Sequence, residues 1–318
     1  MNIEDHISNL NSEDEADRMY AAEDLGVAND PAGVGPLIER LGMDPSRAVK
    51  EAIFLALAAI DHPSVVAQAA DLLAADDAFL RNSAIQLLQG KGEAAICELL
   101  KKLKDPDPDV RKFALDAAAG INHPAVAQIY EIAIEDPEIN VLIAAVEHIG
   151  RTRQTNFKNR IEFLFEKSTH PMLLSALLST LIQIGDEKSW EAIQEGYPTS
   201  ESVPGYLLSW WIQAFGRFGG IEDLEALPQI LSAYGKSHLV DLIDALSSFQ
   251  ERFGTIQLPP GCCQTLADLS TGPISNELKR RLLMVVERFP STEEINLPMI
   301  SRLSTLDMPS NGKGISDS

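Results

Sequence analysis

Asp105-Pro106-Asp107-Pro108-Asp109-Val110-Arg111-Lys112-Phe113-Ala114-Leu115-Asp116-Ala117-Ala118-Ala119-Gly120-Ile121 is the clearest copy of a pattern that recurs about every 31 residues. A turn rich in Asp and Pro, residues that cap and start helices, leads into an aliphatic and a basic residue. Small apolar residues follow four and seven or eight positions later. A period of this size means stacked repeats, each unable to bury its apolar face alone.

With Val110 as the register mark, equivalent marks are Asp17, Val49, Leu80, Val141, Leu173, Leu207, His238 and Leu278, spaced by 30 to 34 residues and finally by 40. Eight positions after the marks stand Leu25, Leu57, Leu88, Ala118, Ile149, Leu181, Phe215, Leu246 and Val286, all apolar. One buried stripe at helical spacing therefore runs through every copy. The segments between marks, such as Val34 to Leu41, Val65 to Leu73, Glu93 to Leu103 and Ala125 to Ile134, supply short amphipathic partner helices closed by Asp, Pro or Gly.

The Asp-Pro turn and Val-Arg pair at 107–111, with relatives at 79–81 and 44–50, resemble the signature of HEAT repeats, in particular the short-period bacterial type named after phycobilisome lyases. The resemblance covers residues 1–154 well and 155–304 more weakly. It implies an all-α fold, a right-handed α-solenoid of about nine stacked helical hairpins. The expected organisation is a single solenoid over 1–304, regular to 154 and divergent from 155, followed by a disordered tail at 305–318. In such proteins the recurrent basic residue, here Arg18, Lys50, Arg81 and Arg111, resembles a structural Asp–Arg ladder, with Asp14, Asp44, Asp76, Asp77 and Asp107 as its acids. From the fifth repeat the same position holds Leu142, Leu174, Leu208 and Leu239, and the ladder gives way to apolar packing until Lys279.

The chain carries 26 Lys and Arg against 47 Asp and Glu, a net charge of −21. Such a surface repels phosphate backbones, whose binding relies on cationic side chains displacing counterions. Nucleic acid and membrane are not expected partners, and the charge favours a basic protein. No apolar run approaches the ~20 residues needed to span a bilayer. With no secretory pattern at Met1-Asn2-Ile3-Glu4-Asp5, the expected location is the cytoplasm.

Catalytic signatures do not emerge. The HEAT-like enzyme deoxyhypusine hydroxylase resembles this fold and holds two irons through repeated His-Glu dipeptides, whereas this sequence has only the reversed Glu147-His148. His62, His123 and His170 each precede Pro in equivalent turns, so their recurrence follows from the repeat. Phe215-Gly216-Arg217-Phe218-Gly219-Gly220 ends a helix and follows no strand, so it fails the context of a dinucleotide loop. Cys97 is expected in the core, and Cys262-Cys263 matches neither a disulfide scaffold nor a metal knuckle. No cofactor, metal ligand or catalytic residue is assigned, and the oligomeric state is left open.

Binding is the expected function. Positions two, six and nine after the mark point away from the core, and in HEAT solenoids this side of the second helix resembles the lining of the concave surface. The protein-binding candidates there are Glu51, Asn82, Gln86, Gln89, Lys112, Asp116, Glu147 and Gln213. Tyr206 and Trp210, four apart on one helix, are aromatic hot-spot candidates, while Trp211 and Phe215 belong to the core stripe. The longer connections at 195–205 and 253–261 are further places for recognition. The first expectation is a noncatalytic scaffold or adaptor, with a bacterial signalling assembly as one setting. The second is a subunit resembling phycobilin lyases, which attach or remove a bilin, and the third a metal-dependent oxidoreductase of the HEAT type.

Overall fold

The computed structural model describes residues 2–289. The expected tail at 305–318 and the last part of the expected solenoid, 290–304, lie outside the described residues. Among those described there are eighteen α-helices and no β-strand, and the helices alternate as first and second members of nine hairpins.

The chain divides into two compact units, Met1–Ile184 and Gly185–Ser318. In the first, α1 (Ile3–Asn9) pairs with α2 (Glu15–Ala28), α3 (Val34–Met43) with α4 (Arg47–Ala59), and α5 (Pro63–Asp71) with α6 (Ala78–Lys91). Then α7 (Ile96–Lys102) pairs with α8 (Pro108–Ala118), α9 (Val126–Ala133) with α10 (Ile139–Arg151), and α11 (Lys158–Lys167) with α12 (Pro171–Ile184). The second unit holds α13 (Glu187–Gly196) with α14 (Leu208–Phe218), α15 (Leu227–Tyr234) with α16 (Leu239–Phe253), and α17 (Cys262–Ser270) with α18 (Asn276–Arg288). Within each unit second helices pack on second helices, and first helices on first, in the manner of a repeat solenoid.

The marks fall where second helices begin, and the nine stripe residues eight positions later are each at most 2% exposed. Local chemistry explains the starts. Asp14, Asp77 and Asp107 accept backbone N–H groups at the heads of α2, α6 and α8. In the His-Pro turns the histidine does the same work: Nδ1 of His62, His123 and His170 accepts from Ser64, Ala125 and Leu173 N–H, at 3.2, 3.2 and 3.3 Å.

Three second helices carry glycine nine positions after the mark: Gly26, Gly150 and Gly216. A Cβ at Gly26 would lie 2.8 Å from Ala56 Cα, one at Gly150 2.8 Å from Thr180 Oγ1, and one at Gly216 2.3 Å from Ala245 Cα. The pairs they serve, α2 on α4, α10 on α12 and α14 on α16, share the most extensive second-helix contacts. Glycine here buys backbone proximity, since any side chain would hold the helices apart.

The basic ladder is partly charged and partly a turn clasp. Arg18 reaches Asp44 through Nε at 2.8 Å, and Arg111 reaches Asp136 through Nε at 2.7 Å and a terminal nitrogen at 2.9 Å. Each bond ties one repeat to the next. The same Arg residues, and Arg81, also donate to two carbonyls of their own turns: Ser12 and Glu13, Ala75 and Asp76, Asp105 and Pro106. Of the acids expected in the ladder only Asp44 receives such an ion pair. Asp14, Asp77 and Asp107 are occupied as helix caps, Asp76 contributes a carbonyl, and Asp136 enters instead. Lys50 and Arg81 lie over the Phe79 and Phe113 rings at 4.9 and 5.2 Å. Leu174, Leu208 and Leu239, at the same register, are buried.

Candidate functional site

On the second-helix face of the first unit, two kinds of polar residue alternate. One kind is spent within the fold. Gln89 donates to the Asp116 carbonyl at 3.1 Å, across from α6 to α8. The Asp116 carboxylate meets Lys112 at 3.2 Å and His148 Nε2 at 2.8 Å, the latter from α10. Arg151 lies 2.9 Å from His148 Nδ1. Because a guanidinium only donates, Nδ1 is the acceptor there and Nε2 carries the proton given to Asp116. Both imidazole nitrogens are thus committed, and the dyad is built to hold two repeats together. Burial acts to raise the Asp116 pKa, but the His148 bond and the Lys112 charge outweigh it and hold the carboxyl below the ordinary range. His148 is buried, as its core register implied. Its link to Asp116 could have been read from their separation of 32 residues, about one repeat.

The other kind faces solvent uncommitted. Asn82, Gln86 and Glu147 are exposed and make no side-chain hydrogen bond or ion pair among the described residues. Glu51 is exposed and paired only with exposed Arg47 at 2.8 Å, a contact of little energetic weight. Leu55, on the same face of α4, is 66% exposed. The face therefore presents carboxylate, amide and apolar groups on a backing whose side chains are already fixed by the Gln89–Asp116–His148 bonds.

In the second unit Gln213 donates to Asp241 at 3.0 Å, tying α14 to α16. Trp211 and Phe215 are core residues, their rings stacked with centroids 5.8 Å apart, and Trp190 packs on Trp211 at 5.3 Å. The indole N–H groups are satisfied: Trp190 donates to Asp223 at 2.8 Å and Trp211 to the Tyr197 carbonyl at 3.1 Å. The structure does not put Tyr206 and Trp210 on one helix: Pro204 and Gly205 delay the start of α14 to Leu208, so Tyr206, 49% exposed, stands in the preceding turn, while Trp210 is on the helix and partly buried. The 195–205 connection is anchored through buried Ser200 and Val203.

Cys97 departs from expectation. It is exposed, because α7 buries Ile96 and Leu99 and so turns position 97 outward. Cys262 and Cys263 are buried in the first turn of α17. Among the described residues no group of three or more His, Cys, Asp and Glu converges in a way that could hold a metal ion, and no helix is long and apolar enough to cross a membrane.

The sequence profile of HEAT repeats matches residues 3–89 and 96–166. Among solved structures, an engineered protein is similar at 19% identity, over 96% of this chain and 92% of that one, with a TM-score of 0.47. The complex of CpcE and CpcF of phycocyanin lyase from Nostoc sp. PCC7120 is similar at 19% identity, over 90% and 94% of the two chains, with a TM-score of 0.30. A computationally designed armadillo repeat protein for modular peptide recognition is similar at 14% identity, over 91% and 100%, with a TM-score of 0.26. These likenesses concern the fold alone. No curated protein matches the chain in sequence.

Proposed function

The chain belongs to the HEAT-repeat family, and on that premise we propose that it is a noncatalytic scaffold that binds a protein along the second-helix face of its first unit. The observation that carries the reading is the division of labour on that face. Gln89, Lys112, Asp116 and His148 bond one another, whereas Asn82, Gln86 and Glu147 stand exposed beside them with their groups available. A fixed backing lowers the ordering cost of association. Exposed amides and carboxylates suit the backbone and basic side chains of a protein more than a phosphate polymer. The net charge of −21 favours a basic partner and faster encounter at low salt.

The test is capture from the native cell extract by the intact chain, beside a variant carrying Asn82→Ala, Gln86→Ala and Glu147→Ala. These exposed side chains make no hydrogen bond or ion pair among the described residues, so the variant should unfold at the same urea concentration as the intact chain. A client held by the intact chain and lost by the folded variant supports the reading. Equal recovery by both removes it. A visible absorption band on incubation with bilin would point to the lyase-like role instead.

A further inference from the structure

The end of α4 shows how this fold seats an ammonium group. Lys91, from the following repeat, places Nζ 2.7 Å from the Ala58 carbonyl and 2.6 Å from the Ile60 carbonyl. These are the carbonyls nine and eleven positions after the Val49 mark, and Lys91 is itself eleven after Leu80. The arrangement is not unique to that repeat pair: Arg252 of α16 donates to the Gly219 carbonyl just beyond α14. A cation from the following repeat thus covers the carbonyls where a second helix ends, the end that carries partial negative charge.

At the end of α8 the same register positions are Ala119 and Ile121, and the residue facing them from the next repeat, eleven after Val141, is Thr152. Threonine is too short to replace lysine, and its hydroxyl is spent on the His148 carbonyl at 2.7 Å. A cavity of about 400 Å³ occupies the place, lined by Ala119, Gly120, Ile121, Tyr130, Thr152 and Gln154 among others. Tyr130 is fully buried, yet its hydroxyl has no hydrogen bond. Burial dominates over the nearby Thr152 hydroxyl and pushes the phenol's pKa up, keeping the group neutral. A buried hydroxyl without a partner is costly, and here it belongs to the lining of a cavity.

We propose that this cavity binds a primary alkylammonium group. Its three N–H donors match the Ala119 carbonyl, the second lone pair of the Ile121 carbonyl, whose first accepts from His123 N–H at 3.1 Å, and the Tyr130 oxygen; the two carbonyls are the register counterparts of those that hold Lys91. Two opposite charges flank the site: the Arg151 guanidinium, directed to His148, acts on the Tyr130 hydroxyl, and the Glu93 carboxylate lies 3.6 Å from His123, which also lines the cavity. The chemistry fits a free amine or a lysine side chain of a basic protein. The proposal does not depend on the scaffold reading, because the probe is a small molecule and Asn82, Gln86 and Glu147 are not part of the cavity lining.

The experiment is titration of the full chain with n-butylammonium, followed by backbone amide shifts at Ala119 to His123, with tetramethylammonium at equal ionic strength as the control lacking N–H. Saturable shifts with n-butylammonium alone are expected. Tyr130→Phe should weaken binding by about tenfold, the scale of one hydrogen bond to a charged group. Thr152→Lys should abolish it by supplying the ammonium from the chain itself. A lysine-containing peptide binding at least about tenfold tighter than n-butylammonium assigns the group to a protein partner, and equal affinity assigns it to a free amine. Absence of saturable shifts, equal response to tetramethylammonium, or unchanged binding by Tyr130→Phe or by folded Thr152→Lys overturns the proposal.

Discussion

Asp44→Ala will destabilise the first unit by about 3 kcal/mol, the scale for removing one partner from a buried ion pair. The Asp44 side chain is fully buried, and it accepts from Arg18 at 2.8 Å and Arg40 at 2.6 Å, while the backbone N–H of Ser46 donates to it at 2.8 Å. Removing the carboxylate leaves two guanidinium groups in poorly solvated positions and uncaps a turn. Urea unfolding measures the loss. Arg18→Met combined with Asp44→Leu should cost less than Asp44→Ala, because it removes the more deeply buried of the two stranded charges along with its partner and leaves only Arg40. A loss from Asp44→Ala under about 1 kcal/mol would show the ladder to be ornamental, as surface pairs are.

The same group sets an acid limit. Burial acts to raise the Asp44 pKa, but hydrogen bonds from Arg18, Ser46 and Arg40 outweigh it, so the folded value lies below the ordinary 3.8. A carboxyl depressed in the folded state contributes stability that is complete above its unfolded value and lost as pH falls through its folded value. Asp136 and Asp116 are depressed in the same direction. Stability should therefore decline below about pH 3.8, and Asp44→Ala should flatten part of that decline.

Gly216→Ala is the second large effect, a loss of about 1–3 kcal/mol in the second unit from overpacking. The added Cβ would stand 2.3 Å from Ala245 Cα and 2.5 Å from its Cβ. The obstacle is backbone, so α14 and α16 must separate. Gly120→Ala is the milder comparison: the three atoms nearest its Cβ would all belong to the Gln89 side chain, from 2.5 Å, and that side chain can swing away at the cost of its bond to the Asp116 carbonyl. Unfolding of the two variants by urea should differ clearly, and equal, small losses would mean that the helices part without cost.

Why the repeat register was legible is plain from these residues. Leu25 through Val286 recur at a fixed offset because every second helix must bury the same face, and burial leaves a periodic mark in sequence. The exposed face follows by subtraction, which is why Asn82, Gln86 and Glu147 stand where the register put them. The close-approach glycines stand nine after the mark, a position expected to point away from the core; Gly26, Gly150 and Gly216 are instead buried against the next second helix, which shows only when the neighbouring helix is seen.

Cross-repeat partners were not legible in the same way. Arg111 pairs with Asp136, twenty-five residues on, and the offset depends on how one hairpin sits on the next. Nearer acids such as Asp107 looked equally suitable, yet a carboxylate at a helix head is claimed by backbone N–H groups first. His148 looked like filler because its register is buried. The one signal for its function as a tie is its separation of 32 residues from Asp116, about one repeat, and the bond itself is seen once α8 and α10 are side by side. Cys97 was misplaced by the one-residue uncertainty of a short helix, enough to rotate a side chain by 100°.

The most direct test of the account is hydroxyl-radical footprinting of the chain with its captured client. The scaffold reading predicts protection of Leu55 and of the second-helix peptides that carry Gln86 and Glu147. It predicts unchanged labelling at Ile132 and Phe163, exposed on the first helices α9 and α11. Protection confined to those two residues, or to Tyr206 in the second unit, would contradict it.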